Sequence, residues 1–169
     1  LVKAYVVFFL NTPLLVQIFF LYFALPDWGI VLGSYQAVLL GMAINAGAYL
    51  TEIQRAGFRS IRKAEVEAAE TLGFSRIQII RYVVLPHIGK VLFPPLSNQY
   101  IILTMTTSIA AIFGVEELTG RTYNINAQTF RSFEIFSIAA LYYIALTLVA
   151  SAALYAVGRY FFRIKGKVF

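Results

Sequence analysis

Residues 133–157 read FEIFSIAALYYIALTLVASAALYAV, the stretch that decides the class of fold. Beyond Glu134 near its start, no charged side chain interrupts it. The hydrocarbon core of a bilayer is about 30 Å thick, and a helix of about 20 mostly apolar residues crosses it. The sequence therefore predicts a membrane-spanning helix over these residues.

The composition of the whole chain is that of a membrane protein. Of its 169 residues, 60% are hydrophobic and 13% are charged, whereas soluble domains carry about 25% charged residues. Cysteine is absent and His87 is the single histidine, so neither a disulfide nor a multi-histidine metal site can form. We interpret His87 as a polar residue at a helix boundary, and the sequence predicts neither a catalytic residue nor a metal site.

Three further stretches are long and apolar enough to cross a bilayer. The four predicted spans cover about residues 5–25, 29–50, 95–115 and 133–157. Pro13 interrupts the first of them, and we expect the deeply helical part to begin there, since proline suits the first turn of a helix. The spans leave no segment for a soluble domain, so residues 1–169 are predicted to form a single all-α, polytopic transmembrane helix bundle.

The basic residues predict the orientation of these spans. All but two of the 14 Lys and Arg residues are Lys3 or lie in residues 55–90 and 159–167, and the exceptions are Arg121 and Arg131. Cytoplasmic segments carry an excess of Lys and Arg, so we expect residues 55–90 and the C-terminus in the cytoplasm. The net charge of +6 is spread in short clusters beside the spans, which favours the lipid bilayer as partner and not nucleic acid.

The predicted cytoplasmic loop contains KAEVEAAETLGFSRIQIIRYVVLP at residues 63–86. Residues 64–72 are mostly strong helix formers, Gly73 suits the C-terminal end of a helix, and Ser75 suits the start of the next. The sequence predicts a short helix, a turn, and a second helix that runs toward Pro86.

The first of these helices has features suited to contact with another protein. Ala68 and Ala69 form a shallow patch that a partner surface can approach closely. Glu67 beside them offers a carboxylate to an arginine or a backbone amide of that partner.

The spacing in this loop resembles that of the inner-membrane permeases of bacterial ABC importers. Their loop carries Glu-Ala-Ala, three residues, Gly, nine residues, an aliphatic residue, one residue, then Leu-Pro. The matching residues here are Glu67, Ala68, Ala69, Gly73, Val83, Leu85 and Pro86. Seven positions over this distance are a specific signal, whereas Glu-Ala-Ala alone occurs in many helices.

The resemblance covers about residues 5–159 and is closest to permeases for polar amino acids. The segments similar to that subfamily are NTPLLVQ at 11–17, Ala48-Tyr49 with Glu52, Arg55 and Gly57, PPLSNQ at 94–99, and ELT at 117–119. The chain departs from the subfamily at Leu10, where an arginine is usual, and at Met105-Thr106, where Lys-Asp is usual. The family typically has five spans, so the resemblance implies that a first span precedes Leu1.

The resemblance implies a non-enzymatic subunit in a bacterial inner membrane. Two permeases, identical or homologous, would form the pathway, and separate ATPase subunits would bind ATP and Mg²⁺, so no cofactor is expected in this chain. The absence of a Gly-rich phosphate loop from the sequence agrees with this division. A periplasmic or lipid-anchored binding protein would deliver substrate, and Glu116, Glu117 and Arg121 are expected either to contact it or to be solvated.

Polar side chains in the predicted spans are the candidates for a substrate pathway. They are Gln17, Asn98, Gln99, Thr104, Thr106, Thr107 and Ser108. The alternative for each is a hydrogen bond to another helix or back to its own. Which amino acid is carried, and whether the permease pair is a homodimer or a heterodimer, stay open.

Three other functions remain as alternatives. An ABC permease for another small solute would share the cytoplasmic loop. An ion-coupled carrier or channel subunit would need a charged residue at the centre of a span, and the four predicted spans offer no obvious candidate. A purely structural subunit would have no need for the spacing from Glu67 to Pro86.

Overall fold

The computed structural model describes residues 1–162, which form helices joined by short connections, with no strand in that range. The predicted cytoplasmic basic residues Arg163, Lys165 and Lys167 lie outside the described residues. The helices are α1 (Val2–Leu10), α2 (Leu14–Trp28), α3 (Ser34–Arg59), α4 (Lys63–Thr71), α5 (Arg76–Phe113), α6 (Leu118–Thr129) and α7 (Ser132–Phe162). The all-α class predicted from the sequence is confirmed.

The predicted span 5–25 is not one straight helix, because α1 and α2 meet at an angle of 106°. Pro13, at the start of α2, has an extended backbone with ψ of 136°. Asn11 and Thr12 direct their side chains to carbonyl groups in the last turn of α1. These bonds end α1 before the proline, and the pair is either a broken span or a re-entrant loop.

The helices α2 and α5 each accommodate a proline through the same local change in backbone hydrogen bonding. Pro26 follows a π-helical turn at Phe20–Ala24, and Pro86 follows one at Ile80–Val84. In each turn, the amide just before the proline bonds to the carbonyl five residues back. A proline lacks an amide and its ring collides with the carbonyl four residues back, and the wider turn makes room for the ring.

The helices with the length and apolar composition to cross a membrane are α5 and α7, and the bent α1–α2 pair is a third if it forms one span. Within the described residues α3 does not pass the same test, since Gln36, Asn45 and several small residues lower its mean hydropathy. The count is therefore two or three where four were predicted, and the span over residues 29–50 stays a prediction. The span predicted at 95–115 is part of a much longer helix, α5.

The chain divides into two compact units. The first contains Leu1–Tyr49 and Ile101–Val149, and the second contains Leu50–Tyr100 and, of the described residues, 150–162. In the first unit, buried apolar residues of three helices form a core: Ile18, Val38, Ala110 and Phe113. A Cβ on Gly41 would lie 2.7 Å from Cγ1 of Ile18, so glycine is what allows α3 to pack this closely against α2.

In the second unit, α5 and α7 pack through a reciprocal pair of glycines and phenylalanines. Gly89 of α5 faces the ring of Phe162, and Gly158 of α7 faces the ring of Phe93. The two ring centroids lie 5.0 Å apart. Each glycine leaves the space that the opposite ring fills.

Outside its contact stripe, α7 is covered with exposed apolar side chains. Within the first unit, Ala139, Tyr143 and Thr147 follow one another at intervals of one helical turn and are at least partly buried. The exposed large residues include Leu141, Tyr142, Leu146, Leu148 and Val149. So large an apolar surface fits a lipid environment and not water, which agrees with a membrane-spanning helix.

Candidate functional site

The short cytoplasmic helix predicted from the sequence is α4, and it ends in a Schellman motif. The amide of Gly73 bonds to the carbonyl of Glu70 at 2.9 Å, and the amide of Phe74 bonds to that of Ala69 at 3.1 Å. Gly73 has φ of +80°, a left-handed conformation that glycine adopts without steric cost. The turn predicted at Gly73 is therefore present.

The next helix begins at Ser75 with a capping box. The amide of Gln78 donates to the Ser75 hydroxyl, and the Ser75 amide donates to the Gln78 side chain at 2.8 Å. These reciprocal bonds satisfy two amides that a helix start otherwise leaves unpaired. The exit from α4 and the start of α5 are thus both fixed by local hydrogen bonds.

The predicted contact residues on α4 divide into two groups. Glu67 and Ala68 are exposed, as a docking role requires. Ala69 is only 5% exposed, and α4 packs against the first turns of α5. The methyl group of Ala69 therefore lies on the inward face of α4 in this chain, and its role in coupling stays a prediction.

The second half of the motif belongs to α5. Leu85 and Pro86 are exposed and Val83 is partly buried, and all three lie in or directly after the π-helical turn. The α5 helix continues without interruption through Pro86. Leu85 and Pro86 therefore lie near the start of a long helix, directly after its π-helical turn.

Large apolar side chains are exposed around the turn between α4 and α5. Leu72 is 75% and Ile77 is 78% exposed, and Phe74 and Ile80 are also open. Such clusters are costly in water and typically mark interaction surfaces. Together with Glu67 and Ala68, they form the candidate docking surface.

His87 connects three elements at the base of this surface. Its Nε2 atom lies 3.1 Å from the Ser60 hydroxyl, just after α3, and its Nδ1 atom lies 3.9 Å from Oε2 of Glu65 in α4. From its place in the sequence, His87 is expected to be a polar residue at a helix boundary. The sequence carries no signal of these contacts, because they join residues 22 and 27 positions apart.

Near the end of α3, Glu52 and Arg55 form an exposed ion pair. Arg55 donates hydrogen bonds to both carboxylate oxygens of Glu52. These bonds hold the pKa of the Glu52 carboxyl below its usual value. The two residues belong to the segment that suggested the subfamily.

Gln17, a predicted pathway residue, is 8% exposed and fully engaged inside the first unit. Its amide nitrogen donates to the carbonyls of Phe9 at 3.0 Å and Thr12 at 2.9 Å, and its oxygen accepts from Asn45 at 3.2 Å. This arrangement fastens the α1–α2 bend to α3. The geometry favours the interhelical alternative for Gln17.

The other pathway candidates lie on α5. Asn98 is exposed and Gln99 is partly buried, and both belong to the second unit, while residues 104–108 belong to the first. Thr106 and Thr107 donate back to the carbonyls of Ile102 and Thr104, each at 2.7 Å. Their oxygens still have lone pairs that can accept a ligand N–H. Thr104 and Ser108 are partly buried.

Two features near these candidates were not foreseen. The helix narrows to a 3₁₀ form over Thr107–Phe113. The Ser97 hydroxyl is the buried side-chain group left without a hydrogen-bond partner within the described residues. Buried polar groups are normally paired, and Ser97 is an exception to that rule.

The segment between α5 and α7, expected to be a loop, contains the helix α6. Glu117 caps its start and accepts from the amides of Thr119 at 2.9 Å and Gly120 at 2.7 Å. The Tyr143 hydroxyl of α7 donates to the same carboxylate at 3.0 Å. Glu117 is therefore used within its own chain, while the exposed Glu116 pairs with Arg121.

A family model matches this chain over residues 1–163, and it describes binding-protein-dependent transport system inner membrane components. The glutamine transport system permease protein of Escherichia coli (strain K12) is 43% identical over 143 residues, which cover 83% of this chain and 65% of that protein. The chain thus spans just under two thirds of this relative's length. A probable glutamine ABC transporter permease protein of Bacillus subtilis (strain 168) is 34% identical and covers 88% of this chain and 68% of its own.

A solved structure is also similar. It is described as a crystal structure of an amino acid ABC transporter with histidines and is 33% identical, with a TM-score of 0.84. The match covers 93% of this chain and 73% of that chain. The resemblance first seen in residues 63–86 therefore extends to the fold.

Proposed function

Because the chain belongs to the family of binding-protein-dependent transport system inner membrane components, we propose that it is the permease subunit of an ATP-driven importer for polar amino acids. Two permeases, two copies of this chain or this chain and a homologue, line the pathway. Separate ATPase subunits bind ATP and Mg²⁺, and a periplasmic or lipid-anchored binding protein delivers the substrate. The chain itself holds no cofactor and catalyses no covalent step.

The observation that carries the proposal is the surface formed by α4 and the turn after it. Glu67 and Ala68 are exposed on α4, and Leu72 and Ile77 are exposed around the turn that follows it. A carboxylate next to an apolar rim suits a protein partner, since the apolar groups supply burial and the charge supplies orientation. The α5 helix starts at this surface and continues for 38 residues, long enough to carry a displacement into the membrane.

The proposed orientation follows from the basic residues. The surface on α4 and the C-terminus face the cytoplasm of a bacterial cell, where the ATPase resides, and α6 faces outward. Asn98, Gln99, Thr104, Thr106, Thr107 and Ser108 are proposed as the polar lining of the pathway. The names of two relatives make glutamine the first substrate to test.

The test is reconstitution of the full-length permease with its ATPase and binding protein in liposomes. We expect the cognate amino acid, presented by its binding protein, to stimulate ATP hydrolysis and to enter the vesicles. Glu67→Lys reverses the exposed charge, and Gly73→Pro cannot adopt φ of +80° because proline fixes φ near −65°. Both variants should insert and fold yet lose ATPase association.

Glu134→Lys is the matched control, since it makes the same charge change at an exposed carboxylate at the start of α7. It should keep ATPase association and stimulated hydrolysis. If Glu67→Lys and Gly73→Pro also keep binding-protein-stimulated hydrolysis, α4 is not the docking helix. If no polar amino acid stimulates hydrolysis, the substrate class is wrong.

A further inference from the structure

We propose that His87 is a positioning residue that ties the docking helix α4 to both α3 and α5, so that a displacement of α4 reaches the two helices together. The inference rests on the proposed function, in which α4 receives the force of the ATPase. It assigns a role to the one histidine of the chain, a residue outside the Glu67-to-Pro86 spacing.

The hydrogen-bond directions at Ser60 define the state of the imidazole ring. The Ser60 hydroxyl donates its proton to the carbonyl of Gly57 at 2.7 Å. It can therefore only accept from His87, whose Nε2 lies 3.1 Å away, so Nε2 carries a proton. This bond fastens the base of α5 to the end of α3.

The second ring nitrogen points to α4. Nδ1 lies 3.9 Å from Oε2 of Glu65, and the other carboxylate oxygen lies 3.9 Å from Nε of Arg62. The contact with Glu65 is an ion pair when the ring is doubly protonated. One side chain thus contacts the residue that follows α3, the first turn of α4 and the base of α5.

The position of this contact determines what it can do. The helix α4 has only nine residues and is joined to its neighbours by residues 60–62 and 72–75. Ala69, in the second half of α4, is buried, and α4 packs against the first turns of α5, so the first turn of α4 is the part that a further contact can fix. When its ring is doubly protonated, His87 pairs with Glu65 and fastens this first turn to α5, and the two side chains are 29% and 39% exposed.

The first experiment measures the tie directly in the full-length permease. Because the sequence contains no cysteine, nitroxide labels can be placed at Lys63→Cys in α4 and Lys90→Cys in α5, both exposed. In the parent chain we expect a narrow distance distribution between the labels. His87→Phe, which keeps a ring without nitrogen atoms, should broaden it, and His87→Gln, whose amide can donate to Ser60, should restore it.

The second experiment measures amino acids imported per ATP hydrolysed in the reconstituted complex. His87→Phe should keep basal hydrolysis and lose roughly fivefold in this ratio, the factor that corresponds to one net hydrogen bond of about 1 kcal/mol. His87→Gln should recover most of it. Rescue by the amide separates positioning from general destabilisation.

Two results would overturn the inference. One is a His87→Phe variant with the distance distribution and import ratio of the parent chain. The other is a His87→Gln variant that behaves like His87→Phe, which would mean that the bond to Ser60, where the connection from α3 to α4 begins, does not restrict α4. Failure of the proposed function looks different, since the parent complex would then show no amino-acid-stimulated hydrolysis while the label distances still test the tie.

Discussion

Gly73 joins the two helices of the docking surface through a backbone conformation that few other residues adopt. Its φ of +80° places it where an L side chain costs roughly 1 kcal/mol. No neighbouring atom lies within 4 Å of the Cβ that a substitution would add. The cost is therefore conformational and not steric.

Gly73→Ala should lower the free energy of unfolding by about 1 kcal/mol, and Gly73→Asn by less, since asparagine tolerates the left-handed region. Thermal unfolding of the purified permease in detergent measures both. Gly33→Ala serves as a control, because Gly33 lacks a positive φ and a Cβ there meets only the end of the Gln36 side chain, at 3.7 Å. Equal losses at Gly33 and Gly73 would refute the conformational account.

Gln17 is a polar residue in an apolar segment, and its sequence context fits either a substrate pathway or a hydrogen bond between helices. Its side-chain amide makes three hydrogen bonds that hold the α1–α2 bend. Gln17→Leu would leave two carbonyls and the Asn45 amide without this partner, at a cost of about 1–3 kcal/mol. The exposed neighbour Val16 provides the control Val16→Leu.

We expect Gln17→Leu to unfold at a lower temperature than the parent chain, while the preference among transported amino acids is unchanged. Differential scanning fluorimetry in detergent and competition uptake in liposomes measure the two quantities. An altered substrate preference with unchanged stability would return Gln17 to the substrate pathway.

At the scale of elements, the helix ends and starts that depend on neighbouring residues were predicted correctly. The packing between helices distant in sequence was not predicted. The end of α4 at Gly73 and the start of α5 at Ser75 depend on residues within five positions of each other, and both were predicted. The helix predicted to run toward Pro86 continues through Pro86, Pro94 and Pro95 as part of α5. At Pro86 the π-helical turn absorbs the defect, and sequence patterns carry no signal of such a turn.

The packing of α5 on α7 predicts that a large side chain at Gly158 cannot be accommodated. A Cβ on Gly158 would lie 2.5 Å from Cε1 of Phe93, so Gly158→Leu should overpack this contact and cost about 1–3 kcal/mol. Ala156→Leu, on the exposed side of the same helix, should have little effect. Thermal unfolding of the full-length protein in detergent gives the comparison.

A second substitution tests whether the ring of Phe93 is the cause. Phe93→Ala removes the ring that Gly158 accommodates, so the double variant with Gly158→Leu should be more stable than the sum of the single losses predicts. Strict additivity would mean that the two residues do not share this space.

At the scale of the whole molecule, the composition identified the lipid environment but only partly the number of spans. The apolar run of α7 was recognised almost to its ends, because a helix that crosses a bilayer needs about 20 predominantly apolar residues in succession. Gln36, Asn45 and the small residues of α3 lower its mean hydropathy, since a helix packed among others can carry polar and small side chains. The same limit applies to Ala69 and His87, whose environments depend on residues distant in sequence.

The order of α5, α6 and α7 predicts which parts of the chain share a side of the membrane. If α5 and α7 both cross it, they run in opposite directions, so α4 and the end of α7 lie on one side and α6 on the other, whatever precedes α1.

The two sides can be distinguished by labelling single cysteines, since the sequence contains no cysteine of its own. The exposed residues Thr71 in α4 and Gln128 in α6 are suitable positions for the two substitutions. In spheroplasts with an intact membrane, a membrane-impermeant maleimide should label Gln128→Cys. It should label Thr71→Cys only after the membrane has been permeabilised. Labelling of Thr71→Cys from outside would place the docking surface on the wrong side for an ATPase, and labelling of both from one side would mean that α5 does not cross the bilayer.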